Sequence, residues 1–157
     1  RSDVERKRLF GLAPEQRSRP EDATDLYSSE MSRRTFDRLA ALAGSIVAAG
    51  FPVIVDATFL HRAVRGWFRA LAGDLGVPFI IIDCIAGAEL LRERLLERER
   101  QGRDASEAGV AVMEKQLETD EPIAGDELRH RLPSGSGEDG DALLARCRAL
   151  CQTLRSA

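Results

Sequence analysis

An α/β fold, with a parallel sheet between helical layers, is what the sequence predicts, and three observations predict it. Pro52-Val53-Ile54-Val55-Asp56 and Val77-Pro78-Phe79-Ile80-Ile81-Ile82-Asp83 are apolar at consecutive positions, the pattern of strands covered on both faces. Helical periodicity stands between and beyond them, with Val64, Trp67, Phe68, Leu71 and Leu75 on one side of the segment His61–Leu75. Strand, helix, strand, helix is the alternation that crossover connections produce. A chain of 157 residues, 43% apolar and 31% charged, is sized for a single domain, here residues 1–157.

The elements follow in order. Ser2-Asp3-Val4-Glu5 is a capping-box pattern and predicts a short helix ending near Gly11. Residues 13–21 hold Pro14 and Pro20 among polar groups and read as a loop. From about Ala23 a long helix is predicted, with Phe36, Leu39, Ala40, Ala43, Ile46 and Val47 on one face; Gly50 and Pro52 stop it. The strand Pro52–Asp56, the helix His61–Leu75 closed by Gly76, the strand Val77–Asp83 and a helix from Ala88 to about Gln101 come next. After Gly102 the chain turns and restarts at Ser106, an N-cap for a helix reaching about Thr119. Residues 121–140, interrupted by Pro122, Pro133 and glycines, read as an irregular linker with one short strand around Arg129–Leu132. A final helix is predicted from about Asp141 to Leu154.

Composition narrows the function classes. A net charge of −3 gives no electrostatic reason for nucleic-acid coating. No run approaches the roughly 20 apolar residues that span a bilayer, and the mostly charged residues 1–8 do not read as a signal peptide. Cys147 and Cys151 sit one helical turn apart in an apolar-periodic segment, where buried thiols are favoured over a zinc site. The only histidines, His61 and His130, lie far off in sequence. A reducing cytoplasm fits this cysteine usage best. The opening Arg1-Ser2-Asp3-Val4 reads as the middle of a longer chain.

Three constellations bear on chemistry. Asp56 and Thr58 place a carboxylate and a hydroxyl at the carboxyl end of a buried strand, the edge where ligands bind in open α/β sheets. A carboxylate there suits hydrated Mg2+, which takes one or two carboxylates plus phosphate and water oxygens; the competing reading is that Asp56 caps the following turn. Asp83, which closes the other strand, reads as structural. In the segment Leu90–Arg103, Arg94 and Arg98 are spaced i,i+4, where like charges cost a few tenths of a kcal/mol unless an anion lies between them. Beside the Gly102 turn such a pair suits a phosphoryl clamp, although a mixed-charge helix is commonly only a solvated face. Asp3 at a helix start suits a base accepting a proton from a substrate hydroxyl, or a plain helix-start acid. Ser134-Gly135-Ser136-Gly137 is not a phosphate loop, because Glu138 and Asp139 stand where Lys and Ser/Thr are needed. The two lysines, Lys7 and Lys115, have no G-x-x-x-x-G-K-[ST] context.

Taken in order, RSDVERKRLFG, VIVDATFLHRAVRGWFRALA and LLRERLLERERQGRDASEAGVAVMEKQLE resemble the AAA-type P-loop predicted kinases. That family is often fused behind an aminoglycoside-phosphotransferase-like domain, and is related to polynucleotide 5′-kinases, zeta toxins and chloramphenicol phosphotransferase. The resemblance spans about residues 1–130. It implies a three-layer parallel sheet of the P-loop NTPase and nucleoside-kinase-like type, five strands flanked by helices, with an arginine-bearing lid at about residues 98–108. It implies ATP and Mg2+ as cofactors and transfer of a phosphoryl group to a hydroxyl. By position, Asp3 matches the general base, Asp56 with Thr58 the metal-ordering strand end, and Arg62 and Arg65 the substrate-facing segment. Arg94 and Arg98 match catalytic lid arginines, with Arg98 and Arg103 on the nucleotide phosphates.

The departure from the family is at the start. The first strand and its Walker A loop, expected about 30 residues upstream as one strand-plus-helix unit, are missing from these residues. The expectation is therefore a kinase of a small hydroxylated molecule that is inactive as this chain. The alternatives are a polynucleotide 5′-kinase-like enzyme, disfavoured by the acidic charge and few aromatics, and a non-catalytic regulatory or interaction domain that keeps the fold. The expected partners are ATP, the small substrate and a fused aminoglycoside-phosphotransferase-like domain, with neither membrane nor nucleic acid.

Overall fold

The computed structural model describes every residue except positions 20, 22, 103 and 157. The chain divides into two compact units, Arg1–Thr58 with Arg94–Gln116, and Phe59–Glu93 with Leu117–Ala157.

The first unit is helical. Helix α1, Ser2–Leu9, packs on the long helix α3, Ser29–Ala48, and a short helix α2, Ala23–Leu26, lies between them in sequence. The predicted long helix from Ala23 is thus interrupted. Ser28 leaves helical geometry (φ −62, ψ 157) and its hydroxyl accepts the Met31 amide at 3.2 Å, so α3 restarts on a true N-cap. The buried stripe of α3 is Met31, Thr35, Leu39, Ala40 and Ala43. Thr35, fully buried, satisfies its hydroxyl on the Met31 carbonyl at 2.7 Å. Leu26, Ala105 and Met113 complete this core. The predicted face is right in its N-terminal half; toward the C-terminus it opens, and Ile46 is exposed.

Two local predictions need correction here. The capping box of α1 does not form: Arg1 is the N-cap and no side chain caps the helix. Instead the Ser2 amide donates to the Asp56 carbonyl at 2.8 Å, while the Glu5 carboxylate pairs with Arg8 and Arg38. The second correction concerns Pro52–Asp56, which forms no strand among the described residues. A strand exists by virtue of a neighbour's ladder, and here Ile54 is 82% and Phe51 66% exposed.

The second unit carries the sheet. Helix α4, Arg62–Asp74, is followed by β1, Ile81–Ile85, which lies four residues later than the predicted start at Val77. Residues 77–80 approach β1 without joining the ladder. Beyond the helices α5, Ala88–Gln101, and α6, Val110–Thr119, both of which straddle the division into units, a 3₁₀ helix, Gly125–His130, leads into β2, Arg131–Gly135. β1 and β2 pair in parallel, Ile81 opposite Arg131 through Ile85 opposite Gly135. The expected linker at 121–140 therefore carries a 3₁₀ helix and a strand. The observed sheet has these two strands, so the fold is α/β with a parallel pair. Helix α7, Gly140–Arg155, starts on Asp139, whose carboxylate accepts the Ala142 amide at 3.1 Å, and packs on β2. Asp83 is held by Arg131 at 2.7 Å, in keeping with its structural reading. Phe68 and Leu132 are buried in this unit, as are the charged or polar Arg65, Glu127 and His130. Among the described residues no helix is long and apolar enough to cross a membrane.

Candidate functional site

In the first unit, the start of α1, the run ending at Asp56 and the segment 104–109 converge on one guanidinium. Arg1 Nε lies 3.1 Å from Asp56 Oδ2, and Arg1 Nη2 donates to Asp104 Oδ1 at 3.0 Å. Asp104 Oδ1 also accepts the Ser106 amide at 2.8 Å, a local turn that presents the carboxylate toward Arg1. Burial would raise the Asp104 pKa, but the Ser106 amide and the Arg1 and Arg98 charges hold it below the usual carboxylate range. Arg1 is pushed upward: burial opposes this, and Asp104, Asp56 and Asp3 overcome it. Asp3 therefore shares this electrostatic neighbourhood, and its charge also bears on Arg6 and Tyr27.

Asp3, Asp56 and the Arg98 segment are thus drawn into one neighbourhood, with Arg1 as the link. Arg98 Nη2 donates to the Ala108 carbonyl at 2.8 Å, two residues beyond Ser106. Arg94 and Thr58 are exposed. Arg103 lies outside the described residues. Lys7 is 1% exposed, and its three N–H donors meet three acceptors: Pro14 O at 3.1 Å, Gln16 O at 2.8 Å and Glu107 Oε1 at 3.0 Å. It has no donor left for a phosphate.

Arg62 and Arg65 belong to the second unit. Arg65 is 3% exposed and all five of its N–H donors are engaged. Nε and Nη2 grip the Glu127 carboxylate at 2.7 and 3.0 Å, Nη1 reaches Phe59 O at 2.9 Å and Leu60 O at 3.0 Å, and Nη2 also reaches Glu121 O at 2.9 Å. This geometry leaves Arg65 nothing with which to hold a substrate. Arg62 is more open. Its side chain and that of Arg69 share Asp126, and its amide donates to Glu121 Oε2 at 2.7 Å, which puts an acid at the amino end of α4. A cavity of about 380 Å³ lies beside these groups, lined by Arg62, Arg65, Arg69, Phe79, Ile81 and His130.

Sequence reasoning singled out neither Arg1 nor Asp104 nor the pair Lys7 and Glu107. Asp104-Ala105-Ser106 carried a usable signal, since Asp two residues before a turn amide is a common carboxylate-presenting arrangement. No signal pairs Lys7 with Glu107, because nothing local relates residues a hundred positions apart.

Against known proteins, a family model described as AAA domain matches residues 1–123. No curated protein and no solved structure matches the chain.

Proposed function

The chain belongs to the AAA domain family, and on that premise we propose that it is part of an ATP-dependent phosphotransferase acting on a hydroxyl of a small molecule. The observation that supports this most is the Arg1 bridge, which gathers Asp56 and Asp104 beside Asp3. Phosphoryl transfer asks little covalent chemistry of a protein and much positioning and electrostatics. Asp3, half-buried at the start of α1, accepts the proton of the acceptor hydroxyl. Arg98, with Arg94 on the preceding turn, balances negative charge that spreads in the transition state.

The donor set at Asp56 and Thr58 suits Mg2+, a hard cation content with one carboxylate, a hydroxyl and water. Asp56 would hold the ion with Thr58, and the ion would neutralise charge on the phosphates. Arg1 now stands on Asp56 Oδ2, so it serves as the counter-charge to that carboxylate. The residues present do not fit ATP in the same way. Lys7 is saturated and no G-x-x-x-x-G-K-[ST] loop occurs in the 157 residues. A phosphate cradle is not among these 157 residues.

Isothermal titration separates the two parts of this reading. The 157-residue chain is expected to give no heat with Mg-ATP, and a longer form of it that carries a G-x-x-x-x-G-K-[ST] loop is expected to bind in the micromolar range. Micromolar binding by the 157 residues alone refutes the missing cradle. Failure of the longer protein to transfer phosphate to any of a panel of sugars, aminoglycosides and nucleosides refutes the phosphotransferase.

A further inference from the structure

Glu107 is held more tightly than any role in a solvated turn requires. Its Oε1 receives the Lys7 ammonium at 3.0 Å and the Ser18 amide at 2.9 Å, and its Oε2 the Ser18 hydroxyl at 2.6 Å. Its own amide donates to the Tyr27 hydroxyl at 3.3 Å. Lys7, almost wholly buried, brings in two further acceptors from the loop after α1, the carbonyls of Pro14 and Gln16. The immediate neighbour of this anchored residue is Ala108, whose carbonyl receives Arg98. Three positions earlier, Asp104 ties the same segment to Arg1 and through it to Asp56. A stretch of six residues, 104–109, is therefore fastened at two carboxylates, and the fastened stretch sets the place of Arg98.

We propose that Glu107, clamped by Lys7 and Ser18, is a positioning residue for phosphoryl transfer that fixes the segment 104–109 so that Arg98 is presented to the site. The proposal rests on the phosphotransferase reading for its catalytic consequence, and on geometry alone for its mechanical one. Glu107 touches neither nucleotide nor acceptor; it acts through Ala108 and Arg98. A carboxylate suits the task because charge-assisted hydrogen bonds are roughly twice as strong as neutral ones. A buried ammonium with all donors engaged fixes its carboxylate against sliding along the backbone.

Limited trypsin digestion of the 157-residue chain reads the mechanical part, with cleavage after Arg33 on α3 as the internal reference. Glu107→Gln is expected to speed cleavage after Arg98 roughly tenfold or more relative to Arg33, the scale set by losing a charge-assisted hydrogen bond. Ser18→Ala, which deletes only the hydroxyl contact and leaves the ion pair, gives a smaller change in the same direction and guards against a general loss of fold. Equal acceleration at both sites, or none, overturns the proposal. In the longer, ATP-binding protein Glu107→Gln is expected to lower kcat with the acceptor KM unchanged. An unchanged kcat with Arg98 released overturns the catalytic consequence. If the wild-type longer protein transfers no phosphate, the phosphotransferase reading falls, and the ratio of cleavage rates still decides whether Glu107 holds Arg98.

Discussion

Each unit of the molecule is organised around one buried ion pair, and the two pairs do opposite things with the same chemistry. Lys7–Glu107 joins α1 to the segment 104–109; Arg65–Glu127 joins α4 to the 3₁₀ helix. In both, the cation completes its donor set on backbone carbonyls, as burial demands. The difference lies in the shape of the cation. The guanidinium of Arg65 grips its carboxylate with two parallel bonds and three carbonyls besides, a rigid fork that closes its neighbourhood to any ligand. The ammonium of Lys7 is a point charge, and the residues it fixes lead outward to Arg98, Arg1 and Asp56. A saturated pair is structural in itself; what matters for function is which other groups it sets in place.

That comparison breaks most visibly at Arg65. Arg65→Met leaves buried Glu127 with Arg62 Nε at 4.0 Å as its remaining ion-pair partner, and is expected to cost about 3 kcal/mol of stability, read by urea unfolding followed through Trp67. Arg65→Lys keeps the charge but offers three donors where five are used, and is expected to cost about 1–3 kcal/mol, the penalty of leaving buried acceptors unpaired. If the lysine variant matches the wild type, the fork is not what holds the 3₁₀ helix. The smallest effect is a pH dependence. Arg65 lowers the Glu127 pKa against the opposing effect of burial; at Glu107 burial acts upward and is outweighed by Ser18 and Lys7. Both carboxyls titrate lower folded than unfolded. Their contribution is present above the ordinary carboxylate range and is lost as pH falls through their depressed values. Stability is thus expected to be flat near neutrality and to decline on the acid side, with a shallower decline in Glu127→Gln. An acid limb unchanged by that substitution removes Glu127 from the account.

Much of the helical framework was legible because amphipathic spacing is local. The stripe through Leu39, Ala40 and Ala43 and the apolar side of α4 at Phe68 were both readable from period alone. What period did not show was Arg65 on that same buried side, since its partner Glu127 is 62 positions away. The run Val53–Val55 has strand composition, yet composition specifies only readiness to pair, and pairing needs a neighbour. The capping box failed for a related reason: the acceptor for the Ser2 amide comes from Asp56, far along the chain. At the candidate site, Asp56 and Arg98 were proposed from motifs, while Arg1, Lys7 and Glu107 make contacts between distant segments.

The bare run from Phe51 to Val55 has a consequence for how the polypeptide behaves in a tube. Phe51 and Ile54 face water while Val53 and Val55 are half-buried, and its amides and carbonyls have no ladder among the described residues. In a concentrated sample the strand most available to such a run belongs to another molecule. Self-association through it would be second order in protein, growing fourfold in initial rate for each doubling of concentration. Pro52, which has no N–H to donate, interrupts that template near its amino end.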